Sequence, residues 1–189
     1  MNINVKKRNN RLVPFEVEKI NRSAERACQN LENVSASEIV LDAKIKLYDK
    51  VKTSEIDKSL ISSASSKIEK DPSYNYVAAR LLLNTIYKEV FGESVYSESF
   101  ELQYHKSFIV NLKKLVKEGI LDQKLTEEFD LKKLSEAIDT NRDLKWKYLG
   151  IQTIYDRYLL HIDGRRMESP QGFFMRVAMG LALAEKENK

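Results

Sequence analysis

Asp71-Pro72-Ser73-Tyr74-Asn75-Tyr76-Val77-Ala78-Ala79-Arg80-Leu81 is the stretch on which the fold turns. Asp71-Pro72 ends one segment and opens another, because proline suits the first turn of a helix and not its interior. A helix is predicted from about Ser73 to Phe91, stopped by Gly92 as a left-handed terminal residue. The longest apolar run, Val77–Leu83, is broken by Arg80 and falls far short of the ~18–20 residues needed to span a bilayer.

On the N-terminal side, Thr53 or Ser54 is expected to cap a helix carrying Ile56, Leu60, Ala64 and Ile68 at a spacing of four. Lys50-Val51-Lys52 before it is a short break, with a strand as one reading. Ser35 and Glu38 form a capping box for a helix through Ile39, Ala43 and Leu47. Residues 17–32 predict a first helix with Val17, Ile20, Ala24, Ala27, Cys28 and Leu31 on one face. Residues 3–16 alternate as a β-hairpin turning at Asn9-Asn10, since Asn tolerates positive φ, with Pro14 marking an edge strand. Four amphipathic helices can share a core, and the hairpin must lie across them, because an isolated hairpin is marginal in water.

On the C-terminal side, polar residues Glu93–Ser99 suggest a boundary. Helices follow at about 99–118 (ending at Gly119), as short pieces near 126–138, and near 142–158. Leu159–Glu168 reads as a second hairpin around Asp163-Gly164, a strong two-residue turn signal. Ser169-Pro170 is an N-cap followed by proline, opening a last helix through Phe174, Val177, Ala178 and Leu181. The fold class expected is mainly α: a four-helix bundle capped by a small hairpin or sheet over residues 1–93, then an α-helical region with a second hairpin over 94–189.

Hydrophobic residues make up 42% and charged residues 32%, the balance of a globular rather than a disordered chain. The net charge of +4 is too small to argue for nucleic acid, and no membrane partner is expected. A lone Cys28 excludes an internal disulfide or a paired-cysteine zinc site, and the N-terminus shows no signal-peptide pattern, so a cytoplasmic setting is expected. His105 and His161 lack a ligand-spaced partner, so no direct metal site is expected. Trp146, Tyr148, Tyr155 and Tyr158 suit packing at helical spacing better than a base-stacking platform, and Arg165-Arg166 are expected to be exposed at the hairpin tip.

Two separated stretches carry a resemblance. Val5-Lys6-Lys7-Arg8, a turn and Val13-Pro14-Phe15-Glu16-Val17-Glu18-Lys19-Ile20 resemble the opening of an ATP-cone domain, and Val51-Lys52-Thr53-Ser54-Glu55-Ile56 and Asp71–Leu81 resemble its later parts in order. Glu168-Ser169-Pro170-Gln171 through Met175-Arg176-Val177-Ala178 resembles the run that precedes the catalytic barrel in ribonucleotide reductase large subunits, class I especially. The resemblance departs at Asn9-Asn10, where Asp-Gly is common, and at Val13, where a polar or acidic residue is common. It implies an allosteric switch: ATP or dATP, with Mg²⁺, as effector. It also implies a nucleotide-dependent homo-oligomer, the remainder of the large subunit and a radical-generating small subunit as partners. Catalytic cysteines would lie elsewhere, since Cys28 sits on an apolar helix face, and this stretch alone would be non-catalytic.

A triphosphate needs clustered cations and free helix N-termini. No G-x-x-x-x-G-K-S/T loop is present to supply them. The resemblance points instead to Lys7, Arg8, Lys19, Thr53 and Lys88 for phosphates, with Asp57 beside them. For adenine it points to Val5, Phe15 and Ile20 as an apolar slot and Glu16 as acceptor for the exocyclic amine. Two alternatives stand beside this. One is a decayed cone acting only in subunit contacts. The other is a free-standing ATP-cone transcriptional regulator, which would carry a four-cysteine zinc ribbon that this sequence lacks.

Overall fold

A computed structural model describes residues 3–43, 48–92 and 99–185. The chain divides into two compact units, one of residues 1–85 with 146–152, the other of 86–145 with 153–189.

The first unit opens with β1 (Asn4–Lys6) and β2 (Leu12–Pro14), antiparallel with Val5 opposite Val13. Their connection is a three-residue loop, Arg8–Asn10. Lys7 N–H donates to the Arg11 carbonyl at 2.9 Å and Asn10 N–H to the Lys7 carbonyl at 3.0 Å. Asn10 alone in this loop takes positive φ, +65°, so the turn is a three-residue hairpin with a left-handed last position rather than a two-residue Asn-Asn turn. Of residues 50–52, the last two form a strand: β3 (Val51–Lys52) pairs parallel to β1, giving the order β2-β1-β3. Pro14 therefore lies on the edge strand, where its missing N–H costs no ladder bond.

Helix α1 (Val17–Cys28) buries Ile20, Ala24 and Ala27. Val17, expected inside, is 46% exposed, and Cys28 is half-buried, its thiol pushed up by burial with Arg80 opposing. Helix α2 (Ala36–Asp42) starts at Ser35, whose hydroxyl accepts from the Glu38 N–H as the capping-box spacing predicts. The box is not reciprocal: the Glu38 carboxylate is taken by Lys70 and Lys67. The predicted continuation to Leu47 lies outside the described residues. Helix α3 (Thr53–Ser66) places Ile56, Leu60 and Ala64 inside at the predicted spacing but ends before Ile68. Its N-cap is Lys52, one residue before the expected Thr53, because β3 runs directly into the helix.

Helix α4 (Tyr74–Phe91) contributes to both units and ends at Gly92 with φ +83°, where a left-handed residue was expected. In the first unit Tyr74, Val77, Ala78 and Ala79 are essentially inaccessible. Arg80 donates to the carbonyls of Ala27 and Gln29, tying α4 to the end of α1. Asn84 donates to Ser23 Oγ one turn further on.

The second unit holds α5 (Phe100–Lys117), α6 (Lys124–Glu127) and α7 (Leu131–Glu136). The predicted single helix over 142–158 is two elements: a 3-10 helix, Thr140–Lys145, and α8 (Tyr148–Arg157), whose last turns belong to this unit. A hairpin of β4 (His161–Ile162) and β5 (Arg165–Arg166) turns at Asp163 (φ +50°) and Gly164 (φ +75°), the paired positive φ that Asp-Gly signals. Helix α9 (Pro170–Ala182) is capped by Ser169, which accepts from the Gly172 N–H. Tyr104, Phe108 and Leu112 of α5 pack with Leu125, Leu131, Ile138 and Met179 in one core.

Under that core sits a feature the sequence did not disclose. Asp143 is fully buried, and its carboxylate accepts from Tyr87 Oη and Tyr104 Oη at 2.7 Å each and from Gln171 Nε2 at 2.9 Å. Burial pushes the Asp143 carboxyl up, against the lowering effect of those donors. The same burial, with Asp143 alongside, raises the Tyr104 phenol well above its usual range. Of the hairpin arginines, Arg165 is exposed as expected, though it bonds to the Glu89 carbonyl, whereas Arg166 is half-buried, with its guanidinium 4.5 Å from the Tyr155 ring centroid. Tyr155 packs as expected and donates to Glu89, whereas Tyr158 is 53% exposed. No described helix is long and apolar enough to cross a membrane.

Candidate functional site: the hairpin and helix ends of the first unit

The β1–β2 hairpin ends in a basic tip because Lys7 and Arg8 fall where the chain must turn. Arg8 does not point freely into solvent. Its Nη2 lies 3.0 Å from Asp57 Oδ2, with the two side chains 25% and 12% exposed. Asp57 stands on the first turns of α3, and the register of β1 against β3 brings the hairpin to that helix start. The structure thus brings Lys7 and Arg8 near the strand pair that leads into Thr53, and joins Arg8 to Asp57 directly.

At α1, Glu16 is the N-cap residue, but its side chain makes no capping bond. Its carboxylate accepts from Lys19 Nζ at 2.8 Å instead, in an exposed pair. That hydrogen bond, with Lys19, Arg22 and Lys7 adding their charges, holds the Glu16 carboxyl below its ordinary value. Helix α3 likewise has no side-chain cap, since lysine at its N-cap has no acceptor to offer. In contrast, α2 is capped by Ser35. Two helix starts in this unit therefore keep first-turn N–H groups that no capping side chain takes, a standard anion-receiving arrangement.

The apolar candidates sit partly in the core. Val5 and Ile20 are 6% and 7% exposed, while Phe15 and Val13 are half-buried. Burial makes Val5 and Ile20 packing residues first, with only an edge open to a ligand. Thr53 is half-buried at the start of α3. Lys88 lies in the last turn of α4, in the second unit, so the geometry of the first unit does not include it.

A bare triphosphate site would present its cations without facing carboxylates. Here two of them, Arg8 and Lys19, are each held by one. The residue types are those a magnesium-bound triphosphate uses, cations for phosphate oxygens and a carboxylate for Mg²⁺, and of them the structure joins Arg8 to Asp57. Among the described residues no group of three or more His, Cys, Asp or Glu side chains could hold a metal by itself. The pairing of Arg8 with Asp57 was missed from sequence. Their separation of 49 residues leaves no periodic signal.

The family profile of the ATP cone domain matches residues 3–89, the stretch that holds the hairpin, the parallel strand β3 and helices α1 to α3 with most of α4. The profile of the ribonucleotide reductase all-alpha domain matches residues 144–189. The chain thus belongs to the ribonucleotide reductase large-subunit family and corresponds to its N-terminal region. Among its relatives is the ribonucleoside-diphosphate reductase subunit alpha of Chlamydia trachomatis, 42% identical over 86% of this chain and 16% of that protein. The Helicobacter pylori protein of the same name is 39% identical over 98% of this chain and 23% of its own length. Ribonucleoside-diphosphate reductase 1 subunit alpha of Escherichia coli is 31% identical over 94% and 23%. The chain therefore spans less than a quarter of these relatives.

Proposed function

We propose that this chain is the effector-binding N-terminal region of a ribonucleoside-diphosphate reductase large subunit, and that ATP or dATP, with Mg²⁺, binds at the hairpin and helix starts of the first unit. The observation that carries this reading is the basic hairpin tip joined through β1 and β3 to the uncapped start of α3. The ATP cone match over the same residues supports it.

In this reading Arg8 exchanges partners. Before binding, Asp57 neutralises it. When a triphosphate arrives, Arg8 turns to phosphate oxygens and Asp57 is released to ligate the accompanying Mg²⁺. Lys19 leaves Glu16 for phosphate, which frees the Glu16 carboxylate to accept from the adenine amine. Mg²⁺ supplies charge that lets a carboxylate and a triphosphate share the site. The apolar edge of Val5, Phe15 and Ile20 covers the base.

The nucleotide then acts as a switch only if it binds two forms of the protein with different affinity. The two forms would differ in contacts with the rest of the large subunit, with a second copy or with the radical-generating small subunit. Reduction of ribonucleotides would be carried out by the parts of the large subunit that this chain does not include. A cone kept only for subunit contacts is the second reading. It is favoured by the carboxylates that occupy Arg8 and Lys19, and by Val13, where the family resemblance implies a polar or acidic residue. Titration with ATP and dATP in Mg²⁺ separates them, since a folded chain that binds neither nucleotide fits only the second.

A further inference from the structure

Asn111 is a polar residue on the buried face of α5. It is 9% exposed, among the buried Phe108, Leu112 and Leu115 of the same helix, and its Nδ2 has no hydrogen-bond partner among the described residues. A buried amide donor is costly to leave unpaired, so nearly all of them bond to protein or to ordered water. Asn111 lines a cavity within the second unit, together with Ser107 of α5, the Glu168–Ser169 turn and Gly172 of α9, and apolar side chains close the rest of the wall. About 10 Å³ of this cavity is open to the centre of a water-sized sphere, close to the roughly 10–15 Å³ that one water molecule requires. Gly172 keeps its part of the wall clear of a side chain, since a Cβ there would stand 3.0 Å from Ser169 Oγ and 3.5 Å from the Phe108 ring.

The chemistry of the wall selects the occupant. The Glu168 carboxylate argues against an anion, and Arg176 already neutralises it, which argues against a cation. The volume excludes an organic ligand. A small neutral molecule that both accepts and donates fits, because the donor Asn111 Nδ2 shares the wall with acceptors. Ser107 Oγ donates to the Tyr104 carbonyl at 2.8 Å and so keeps its lone pairs. The Glu168 carboxylate accepts from the Leu160 N–H at 2.9 Å and from Arg176 Nε and Nη2, which leaves one of its roughly four acceptor positions. We propose that this cavity is an internal water site, in which one long-lived water accepts from Asn111 Nδ2 and donates to the Glu168 carboxylate and Ser107 Oγ. The water joins α5 to the turn that opens α9 and, through the bond from Leu160 to Glu168, to the start of the second hairpin. It accounts for a polar residue at a core position of α5 and stands apart from nucleotide binding in the first unit.

The test is water ¹⁷O relaxation dispersion of the native chain and of Asn111→Leu, because the amplitude of the dispersion counts waters held longer than the protein takes to tumble. Leucine has nearly the shape of asparagine, removes the donor and turns methyl groups toward the space. The expected result is an amplitude lower by about one water in the folded variant. Equal amplitudes overturn the proposal, since any long-lived water of the chain then lies elsewhere. Should Asn111→Leu fail to fold, a high-resolution crystal structure of the native chain decides. An ordered water within hydrogen-bond distance of Asn111 Nδ2 in the cavity supports the site. A cavity without solvent density, or Nδ2 bonded directly to a protein acceptor, overturns it.

Discussion

The Arg8–Asp57 pair sets what single residues can do at the hairpin. A partly buried ion pair of this kind is neither free for phosphate nor indifferent to it. Asp57→Asn removes the negative charge that faces the phosphates, so triphosphate binding without Mg²⁺ should tighten and the gain from adding Mg²⁺ should shrink. Calorimetry with and without the metal reads this directly. A variant with unchanged metal dependence would remove Asp57 from the site. Lys7→Ala should weaken triphosphate binding by about 1.5–3 kcal/mol through the loss of a charge-assisted contact. Unaltered affinity would remove Lys7 likewise. In the second unit Tyr104→Phe deletes a donor to Asp143 and the oxygen that accepts from the Gln171 N–H at 3.2 Å. Leaving those buried groups short of partners should lower stability by about 1–3 kcal/mol in urea unfolding.

Elements were legible where local chemistry decides them. Ser35 and Ser169 cap α2 and α9 because an acceptor two or three residues ahead of free N–H groups has one favourable use. Asp163-Gly164 turns its hairpin because both residues tolerate positive φ. Ser169→Ala should therefore cost about 1 kcal/mol of stability, read as a lowered urea midpoint with unchanged slope. Long-range elements were not legible. β3 is two residues long and exists because it pairs with Val5 and Lys6, 46 positions earlier, which no local period reports. The predicted helix over 142–158 is split into the 3-10 helix Thr140–Lys145 and α8, and the bonds that Asp143 of the first piece accepts from Tyr87, Tyr104 and Gln171 are long-range, so no local period reports them. At the site, residue identities follow from motif resemblance, whereas the carboxylate partner of Arg8 is 49 positions away and set by the fold, and that of Lys19 follows from the i,i+3 spacing of Glu16 and Lys19.

At the scale of the molecule, acid and base act on different groups. Asp143 has a folded pKa raised above its unfolded value, so its contribution to stability is present below the unfolded carboxylate range and is lost as pH rises through the folded value. Glu38, lowered chiefly by the hydrogen bond from Lys70, works in the opposite sense and loses its contribution as pH falls through its folded value. The stability of the native chain relative to Asp143→Asn should therefore decline as pH is raised from the ordinary aspartate range upward. Paired urea titrations across that window check it, and a difference that rises with pH contradicts the placement of Asp143.

Calorimetric titration of the chain with ATP and with dATP in Mg²⁺, alongside Lys7→Ala, tests the central claim most directly. The account predicts saturable binding of both nucleotides by the native chain and markedly weaker binding by the variant at equal folded content. A chain that is folded by circular dichroism and binds neither nucleotide would contradict it.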